Sequence, residues 1–338
     1  MAVSTASDLN HPALLGLLAD GQLHSGECLA QELGVSRAAV WKGVERLRLR
    51  GIEIQALPRR GYALPAAVEL FDAGKIRAAV AEARAPWLRS LAVEFDVDST
   101  NSRLLAAAPP PHGYADVMVT ELQHAGRGRR GRHWSAPFGG GIALSMAWVF
   151  SDAAQANPTL SLCVGVAVAR ALRRAGALRL GLKWPNDIWF KDRKIGGVLL
   201  ELRAEASGPA HVVIGVGVNV TMSSGMRAQI EEAGVRVAAV TDACVAAPSR
   251  NFLAGAIIDE LLSMLVVFER EGFAPFREAW TALDVLRDRP VQVLSGTSVI
   301  GGTARGVEHH GALRLEREGR MLEFVSAEVS LRLAGDDM

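Results

Sequence analysis

The first fifty residues place apolar side chains at helical spacing. Residues 12–19 form a short apolar segment ended by Asp20-Gly21, and Ser25 then offers an N-cap, with Glu27 in the following turn and Leu29 and Leu33 on one face. Gly34 ends that second helix and Val35 fills the turn. Ser36 caps a third helix running to about Arg50, with Val40, Val44 and Leu47 as its buried stripe. Beyond Gly51, Ile52 and Ile54 lead into Pro58-Arg59-Arg60-Gly61-Tyr62, the pattern of a small hairpin with two arginines at its tip. Between residues 66 and 290 strand-like and helix-like segments alternate. Apolar runs fall at 91–97, 116–122, 141–150, 195–202 and 211–220, and long amphipathic stretches at 159–175 and 249–271. This pattern predicts a mixed α/β domain around one large sheet. Residues 290–333 change character again, to short strands at Val291–Leu294, Thr297–Arg305 and Ala312–Glu316 separated by glycine turns, which suits a small β-barrel.

The fold class expected is therefore α+β and multidomain: a winged helix-turn-helix over 1–65, a central mixed α/β domain over 66–288 and a small barrel over 289–335. The 338 residues suffice for two or three domains at roughly 150 residues each. With 49% hydrophobic residues and 37 basic against 36 acidic side chains, disorder and global polyanion coating are excluded. The longest uncharged runs, 133–151 and 206–226, are broken by proline, glycine or asparagine, so no membrane span is expected. Neither is a signal peptide. Cys28, Cys163 and Cys244 lie far apart with no metal-ligand spacing, which points to a reduced, cytoplasmic setting and leaves any metal ligand unassigned.

Local charge is more informative than the total. Residues 36–60 carry seven basic residues against Glu45 and Glu53, whereas residues 1–35 carry only acidic charge. In a helix-turn-helix the second helix enters the major groove by its N-terminal end, which here offers Ser36, Arg37, Ala38, Trp41 and Lys42. Arg46, Arg48 and Arg50, with Arg59 and Arg60 on the wing, are placed to reach phosphates. A helical cap on a larger enzyme would also show a solvated basic face. The turn glycine, cap serine, wing and charge coincide, and together favour DNA.

The central region contains Gly126-Arg127-Gly128-Arg129-Arg130-Gly131-Arg132, which satisfies the GxGxxG string. A dinucleotide-binding turn must open a helix, and Pro137 with Gly139-Gly140-Gly141 prevents one here. What remains is a glycine-rich loop bearing four guanidinium groups after a strand ending in Gln123, suited to a carboxylate or phosphate. A basic linker or a second nucleic-acid patch would read the same way in isolation. Lys183-Trp184-Pro185-Asn186-Asp187 stands at a strand end, and Lys194-Ile195-Gly196-Gly197 opens the next strand. Three of only five lysines fall in this stretch, against 32 arginines in the chain. Asn219 closes the otherwise apolar strand from Val212, at a sheet end facing a ligand or a turn.

Asp98-Ser99-Thr100-Asn101, Gln123 with the arginine loop, KWPND, the lysine-glycine-glycine strand and VIGVGVNV occur in the order and spacing of the biotin protein ligases. From about residue 12 to 332 the chain resembles the bifunctional type that also serves as biotin operon repressor. The resemblance implies Mg²⁺- and ATP-dependent conversion of biotin to biotinyl-5'-AMP. The biotinyl group then passes to a lysine of the biotin carboxyl carrier protein of acetyl-CoA carboxylase, with repression at operator DNA and a ligand-promoted homodimer. It implies that Ser99, Thr100, Asn101 and Gln123 hydrogen-bond biotin, that Gly128, Gly196 and Gly197 pack against it, and that Trp134 walls the pocket. Arg127, Arg129, Arg132 and Lys194 would supply positive charge where two anions meet, with Lys194, Arg129 and Arg132 closest to the chemistry. Asn186 and Asp187 would orient nucleotide or metal or receive the acceptor lysine, and Asn219 and Arg305 would approach the nucleotide. The C-terminal barrel resembles the family's SH3-like domain. One departure is plain: residues 220–250 hold no Phe, Tyr or Trp to close over the adenine. Two other readings stand beside this one: a biotin sensor without ligase activity, and a lipoate or other acyl ligase of the same fold.

Overall fold

The computed structural model describes residues 10–204, 208–232, 234–295, 298–325 and 329–333. Thr297, the expected start of one C-terminal strand, and the outer bounds of the expected terminal domains lie outside them. The chain parts into two compact units, 1–70 and 71–338.

In the first unit, helices α1 (His11–Leu18), α2 (Gly26–Glu32) and α3 (Arg37–Leu49) precede a hairpin of β1 (Gln55–Leu57) and β2 (Gly61–Ala63). Each helix start is fixed by a side-chain cap: Asn10 accepts from the Ala13 N–H, Ser25 from Cys28 and Ser36 from Ala39. Leu14, Leu15 and Leu18 of α1, Leu29 of α2, and Val40, Val44 and Leu47 of α3 are buried in the core, with Ile52 and Ile54. The hairpin is tied to the segment before α2 because His24 and Tyr62 exchange both backbone hydrogen bonds at 2.9 Å. Gly61 is obligatory there, since a Cβ would stand 2.0 Å from the His24 carbonyl oxygen.

The second unit is built on a seven-stranded mixed sheet. In chain order its elements are α4 (Ala73–Ala78), β3 (Leu88–Val97), α5 (Thr100–Ala106), β4 (Ala115–Gln123), β5 (Gly141–Phe150), α6 (Thr159–Arg174), β6 (Leu180–Lys183), β7 (Asp187–Phe190), β8 (Arg193–Ala204), β9 (Ala210–Asn219), α7 (Ser224–Glu232), α8 (Val240–Ala243), α9 (Arg250–Glu271) and α10 (Arg277–Leu283). The strand order is β3-β4-β5-β9-β8-β7-β6, with β3 and β4 parallel and every other pair antiparallel. Alternation along the strands gives the sheet two unlike faces. Ile142, Leu144, Met146 and Trp148 of β5, with Val212, Ile214, Val216 and Val218 of β9, form a continuous core with α6 and α9. The intervening residues, Ala143 and Ser145 of β5 and Gly215 and Gly217 of β9, are small. Helix α5 covers one part of that second face, where Leu104 packs on Ala147 and Val213.

Helix α9 is 22 residues long and apolar enough by length and composition to cross a bilayer, but its Leu253, Ile257, Leu261 and Leu265 are fully buried in this core. It also carries the buried carboxylate of Asp259, which accepts from Arg84, from Arg174 and from the Ala81 N–H. A five-stranded antiparallel sheet follows: β10 (Pro290–Ser295), β11 (Ser298–Val307), β12 (Leu313–Arg317), β13 (Arg320–Phe324) and β14 (Val329–Leu333), ordered β13-β12-β11-β10-β14. A bulge between Ala304 and Val307 breaks the β11–β12 register. Trp184 docks this sheet against the larger one by donating its indole N–H to the Gly311 carbonyl at 3.0 Å.

Candidate functional site

In the first unit the helix α3 divides cleanly. Val40, Val44 and Leu47 are buried, whereas Ser36, Arg37, Ala38, Trp41, Lys42 and Arg46 are exposed along the opposite side, and Arg59 and Arg60 are exposed at the hairpin tip. The Ser36 hydroxyl is occupied in accepting from Ala39 N–H at 3.1 Å, so it orients the helix end. Arg48 departs from the sequence expectation. Its guanidinium donates to the Ile54 carbonyl at 2.6 and 3.0 Å and to Glu45 at 2.8 Å, binding helix to wing instead of reaching outward. An exposed stripe with Arg37, Lys42 and Arg46, an indole at its centre and two arginines on the wing forms a surface suited to a phosphate backbone and a groove.

In the second unit the parallel strands β3 and β4 end side by side, Val97 opposite Gln123, and both following loops fold over the small-residue face. Asp98-Ser99 leads into α5, where Ser99 caps the helix and the backbone and hydroxyl of Thr100 donate to Gln123 Oε1 at 2.9 and 3.1 Å. Ser145 of β5 donates toward Thr100 Oγ1 and Asn101 Oδ1 at 2.7 and 2.5 Å, and Asn101 in turn donates to Glu201 Oε2 at 2.8 Å. A Cβ on Gly215 would lie 2.4 Å from Asn101 Oδ1. The strand is glycine at that point because the asparagine occupies the space.

The arginine loop is a folded hairpin. Gly128 N–H donates to the Arg132 carbonyl at 2.7 Å and Trp134 N–H to the Gly126 carbonyl at 2.9 Å, around a short turn with Arg130 in the left-handed region. Gly126 is required by the loop's own packing, since a Cβ would lie 2.3 Å from Trp134 O and 2.4 Å from Gln123 Nε2. At Gly128 a Cβ would meet nothing nearer than 3.6 Å. Trp134 lies flat over Gly217, whose Cβ position is 2.4 Å from the indole Cε2, and the ring centroid is 5.9 Å from Lys194 Nζ.

Lys194 and Asp187 meet at 2.6 Å, and Gly197 lies against both, its Cβ position 3.2 Å from Lys194 Nζ. Gly196 has no room for a side chain either, at 2.5 Å from the Gly217 carbonyl oxygen. Arg129 reaches Asn186 Oδ1 at 3.4 Å. Burial lowers the Arg129 pKa from its ordinary value, Asp187 opposes that shift, and Arg132 and Arg130 add to it. Asp187 thus stands among several cationic side chains, the chemistry an incoming anion requires. The three clustered lysines separate by role. Lys183, paired across β6 and β7 with Asp187, lies over Trp189 at 4.3 Å, Lys191 lies over Phe190 at 5.1 Å, and Lys194 makes the ion pair with Asp187.

Ser99, Thr100, Asn101, Gln123, Arg127, Arg129, Trp134, Asn186, Asp187, Lys194, Gly196 and Gly197 therefore form one contiguous site, with Gly128 and Arg132 in its loop. Two expected members have partners of their own. Asn219 is buried and donates to the Ala238 carbonyl at 3.3 Å, and the Ala238 N–H in turn donates to the Lys194 carbonyl at 2.8 Å. Arg305 pairs with Asp288 and Glu316 on the C-terminal sheet. Sequence reading missed Ser102, Ser145, Gly215, Gly217 and Glu201. The signal was present in the period-2 glycines of VIGVGVNV and in an acid two and four residues beyond Leu199 and Gly197 on the same strand face. Among the described residues no group of three or more His, Cys, Asp or Glu side chains is arranged to hold a metal ion. Asp187 is the carboxylate at the cluster, and a single carboxylate beside substrate phosphates is the usual protein share of a Mg²⁺ site.

The cationic, glycine-floored site belongs to the second unit of a chain whose first unit is a helix-turn-helix. Residues 96–219 match the biotin/lipoate A/B protein ligase family, 13–63 a helix-turn-helix domain and 288–332 the biotin protein ligase C-terminal domain. The bifunctional ligase/repressor BirA of Salmonella typhimurium is 39% identical over 323 residues, 95% of this chain and 97% of that protein. The biotin--[acetyl-CoA-carboxylase] ligase of Mycobacterium tuberculosis is 33% identical, covering 76% of this chain and 94% of its own. The biotin protein ligase of Aquifex aeolicus in complex with biotin and ATP superposes with a TM-score of 0.63 at 26% identity, over 73% of this chain and all of that one. The chain belongs to the biotin protein ligase family, in its bifunctional ligase/repressor form.

Proposed function

We propose that this protein joins biotin to ATP as biotinyl-5'-AMP, transfers the biotinyl group to one lysine of the carboxyl carrier protein of acetyl-CoA carboxylase, and represses transcription when loaded with the adenylate. The observation that carries the reading is the gathering of Arg129 and Lys194 around Asp187 and Asn186 beside a glycine floor roofed by Trp134. In the first step a biotin carboxylate oxygen attacks the α-phosphorus, an anhydride P–O bond forms, and pyrophosphate leaves as the α–β bond breaks. Two anions must approach, so fixed cations lower the barrier without reorganising at the moment of reaction. Arg129, Arg132 and Lys194 are assigned that task. Lys194 exchanges its Asp187 partner for the carboxylate and then for the mixed anhydride. Ser99, Thr100, Asn101 and Gln123 hold the ureido end of biotin, and Trp134 covers it. In the second step the acceptor lysine is received as an ammonium beside Asp187, gives up a proton to that carboxylate and attacks the acyl carbon as the amine. The amide C–N bond forms as the acyl C–O bond breaks and AMP departs, with the proton passing on to solvent. Mg²⁺ arriving with ATP would neutralise phosphate charge next to Asp187 and Asn186.

The exposed stripe of α3 and the wing are assigned to operator DNA in the cytoplasm, and a two-fold dimer promoted by the adenylate would pair two half-sites. Incubation with labelled biotin, ATP, Mg²⁺ and a carrier domain tests the central reading. Label on the acceptor lysine is expected; biotin binding with no transfer would instead establish a sensor, and transfer of lipoate in preference to biotin a different acyl ligase.

A further inference from the structure

We infer that Glu201, which none of the assigned roles includes, is a positioning residue that fastens the arginine loop to the biotin-holding end of α5. The proposal rests on the ligase reading above. Glu201 lies on the small-residue face of β8, four residues beyond Gly197 and paired with Val213 of β9. Its Oε2 accepts from Asn101 Nδ2 at 2.8 Å, and its two carboxylate oxygens lie 2.9 and 3.1 Å from the same Arg127 nitrogen. That nitrogen also donates to Ser102 Oγ at 2.8 Å. One carboxylate therefore joins three segments far apart in sequence: the start of α5, the arginine loop and the strand β8 that also carries Lys194.

This arrangement changes what Arg127 is for. Its guanidinium is held by Glu201 and Ser102, whereas Arg129 two residues on reaches Asn186 and the charge cluster. Arg127 is the loop's tether, and Arg129 its reacting-site cation. The buried amide of Asn101, filling the space above Gly215, is oriented from both ends, by Ser145 on its oxygen and by Glu201 on its nitrogen. Without the carboxylate the amide nitrogen is left with the Leu199 carbonyl at 3.4 Å, and Arg127 keeps Ser102 but loses its ion pair to β8. Both groups belong to the biotin side of the site, so the loss falls on biotin recognition more than on ATP.

Biotin-dependent pyrophosphate exchange by the full chain, with limited trypsin digestion of the same proteins, tests this. Glu201→Gln keeps the side-chain shape, and its thermal melt checks the fold. It should raise KM for biotin about tenfold, leave KM for ATP and kcat within about twofold, and speed trypsin cleavage between Arg127 and Arg132 several-fold in the absence of ligand. Arg127→Ala should raise KM for biotin by less, because Asn101 keeps its bond to Glu201, and the double variant should lose less than the sum of the two single losses, because the Arg127–Glu201 contact is common to both. Should Glu201→Gln fail to fold, Glu201→Asp, with the charge one methylene short, is expected to show the same KM and cleavage changes in smaller measure. Unchanged biotin KM, unchanged cleavage of the loop, or additive losses in the double variant would overturn the proposal. A wild-type chain that exchanges no pyrophosphate would remove the ligase reading instead, and the cleavage rates alone would then decide the role of Glu201.

Discussion

Gly217→Ala offers a direct test of the site because its effect follows from distances. The new methyl would lie 2.4, 2.7 and 2.8 Å from Cε2, Cζ2 and Nε1 of Trp134. Ordinary contact between such atoms is about 3.5 Å, so the indole must retreat by about 1 Å. It can do so, because Trp134 belongs to a loop held to Gly126 by a single backbone hydrogen bond at this point. The sheet should not suffer, since the methyl projects away from the core face formed by Val216 and Val218, and alanine is better tolerated than glycine in a strand by about 0.5–1 kcal/mol. The cost therefore appears in function. A displacement of about 1 Å in a positioning group costs about a hundredfold in rate, or about 2.7 kcal/mol. In pyrophosphate exchange we expect kcat/KM for biotin to fall between tenfold and a hundredfold while the midpoint of urea unfolding stays near that of the wild type. Trp134→Ala removes the clashing ring, so adding Gly217→Ala to it should cost nothing further. Wild-type kinetics for Gly217→Ala, or full additivity of the two changes, would refute the reasoning.

Lys194→Ala and Arg129→Ala should each weaken adenylate formation by about 2–4 kcal/mol of transition-state stabilisation with circular dichroism unchanged, and exchange at the wild-type rate would remove their assigned roles. Burial pushes the Asp259 carboxyl upward, but hydrogen bonds from Arg84, Arg174 and the Ala81 N–H outweigh it and hold the pKa at about 2, below its ordinary 3.8. A depressed pKa stabilises the fold above pH 4 and the contribution fades as pH falls toward 2. Urea titrations should therefore show wild type losing about 2 kcal/mol over that window that Asp259→Asn does not lose. Biotin with ATP should shift the chain from monomer toward dimer in analytical ultracentrifugation, and excess carrier domain should reverse the shift; a mass distribution indifferent to ligand would eliminate the proposed switch.

The sequence alone determined everything that depends on near neighbours. Ser25 and Ser36 declare helix starts by their own chemistry, Gly34 marks a turn, and the strict alternation of VIGVGVNV can form only a strand with one bulky and one small face. The strands β3, β4, β5, β8 and β9 and the helices α6 and α9 were legible for that reason, and the order of the motifs pointed to residues that the fold brings together, whereas α5 and β7 were not read. What the tertiary structure decided was which distant groups meet. Arg48 and Arg46 look alike along the chain, yet only the folding of the wing brings the Ile54 carbonyl to Arg48. Asn219 and Asn101 are both buried amides, but strand pairing turns one toward Ala238 and the other toward Glu201. Arg127 and Arg129 are separated by a single residue, and the loop's own turn sends the first to a carboxylate on β8 and the second to the cation cluster. Local pattern reflects the preferences of a few adjacent backbone dihedrals, whereas these pairings depend on strand register across a hundred residues. No short window of sequence encodes that register.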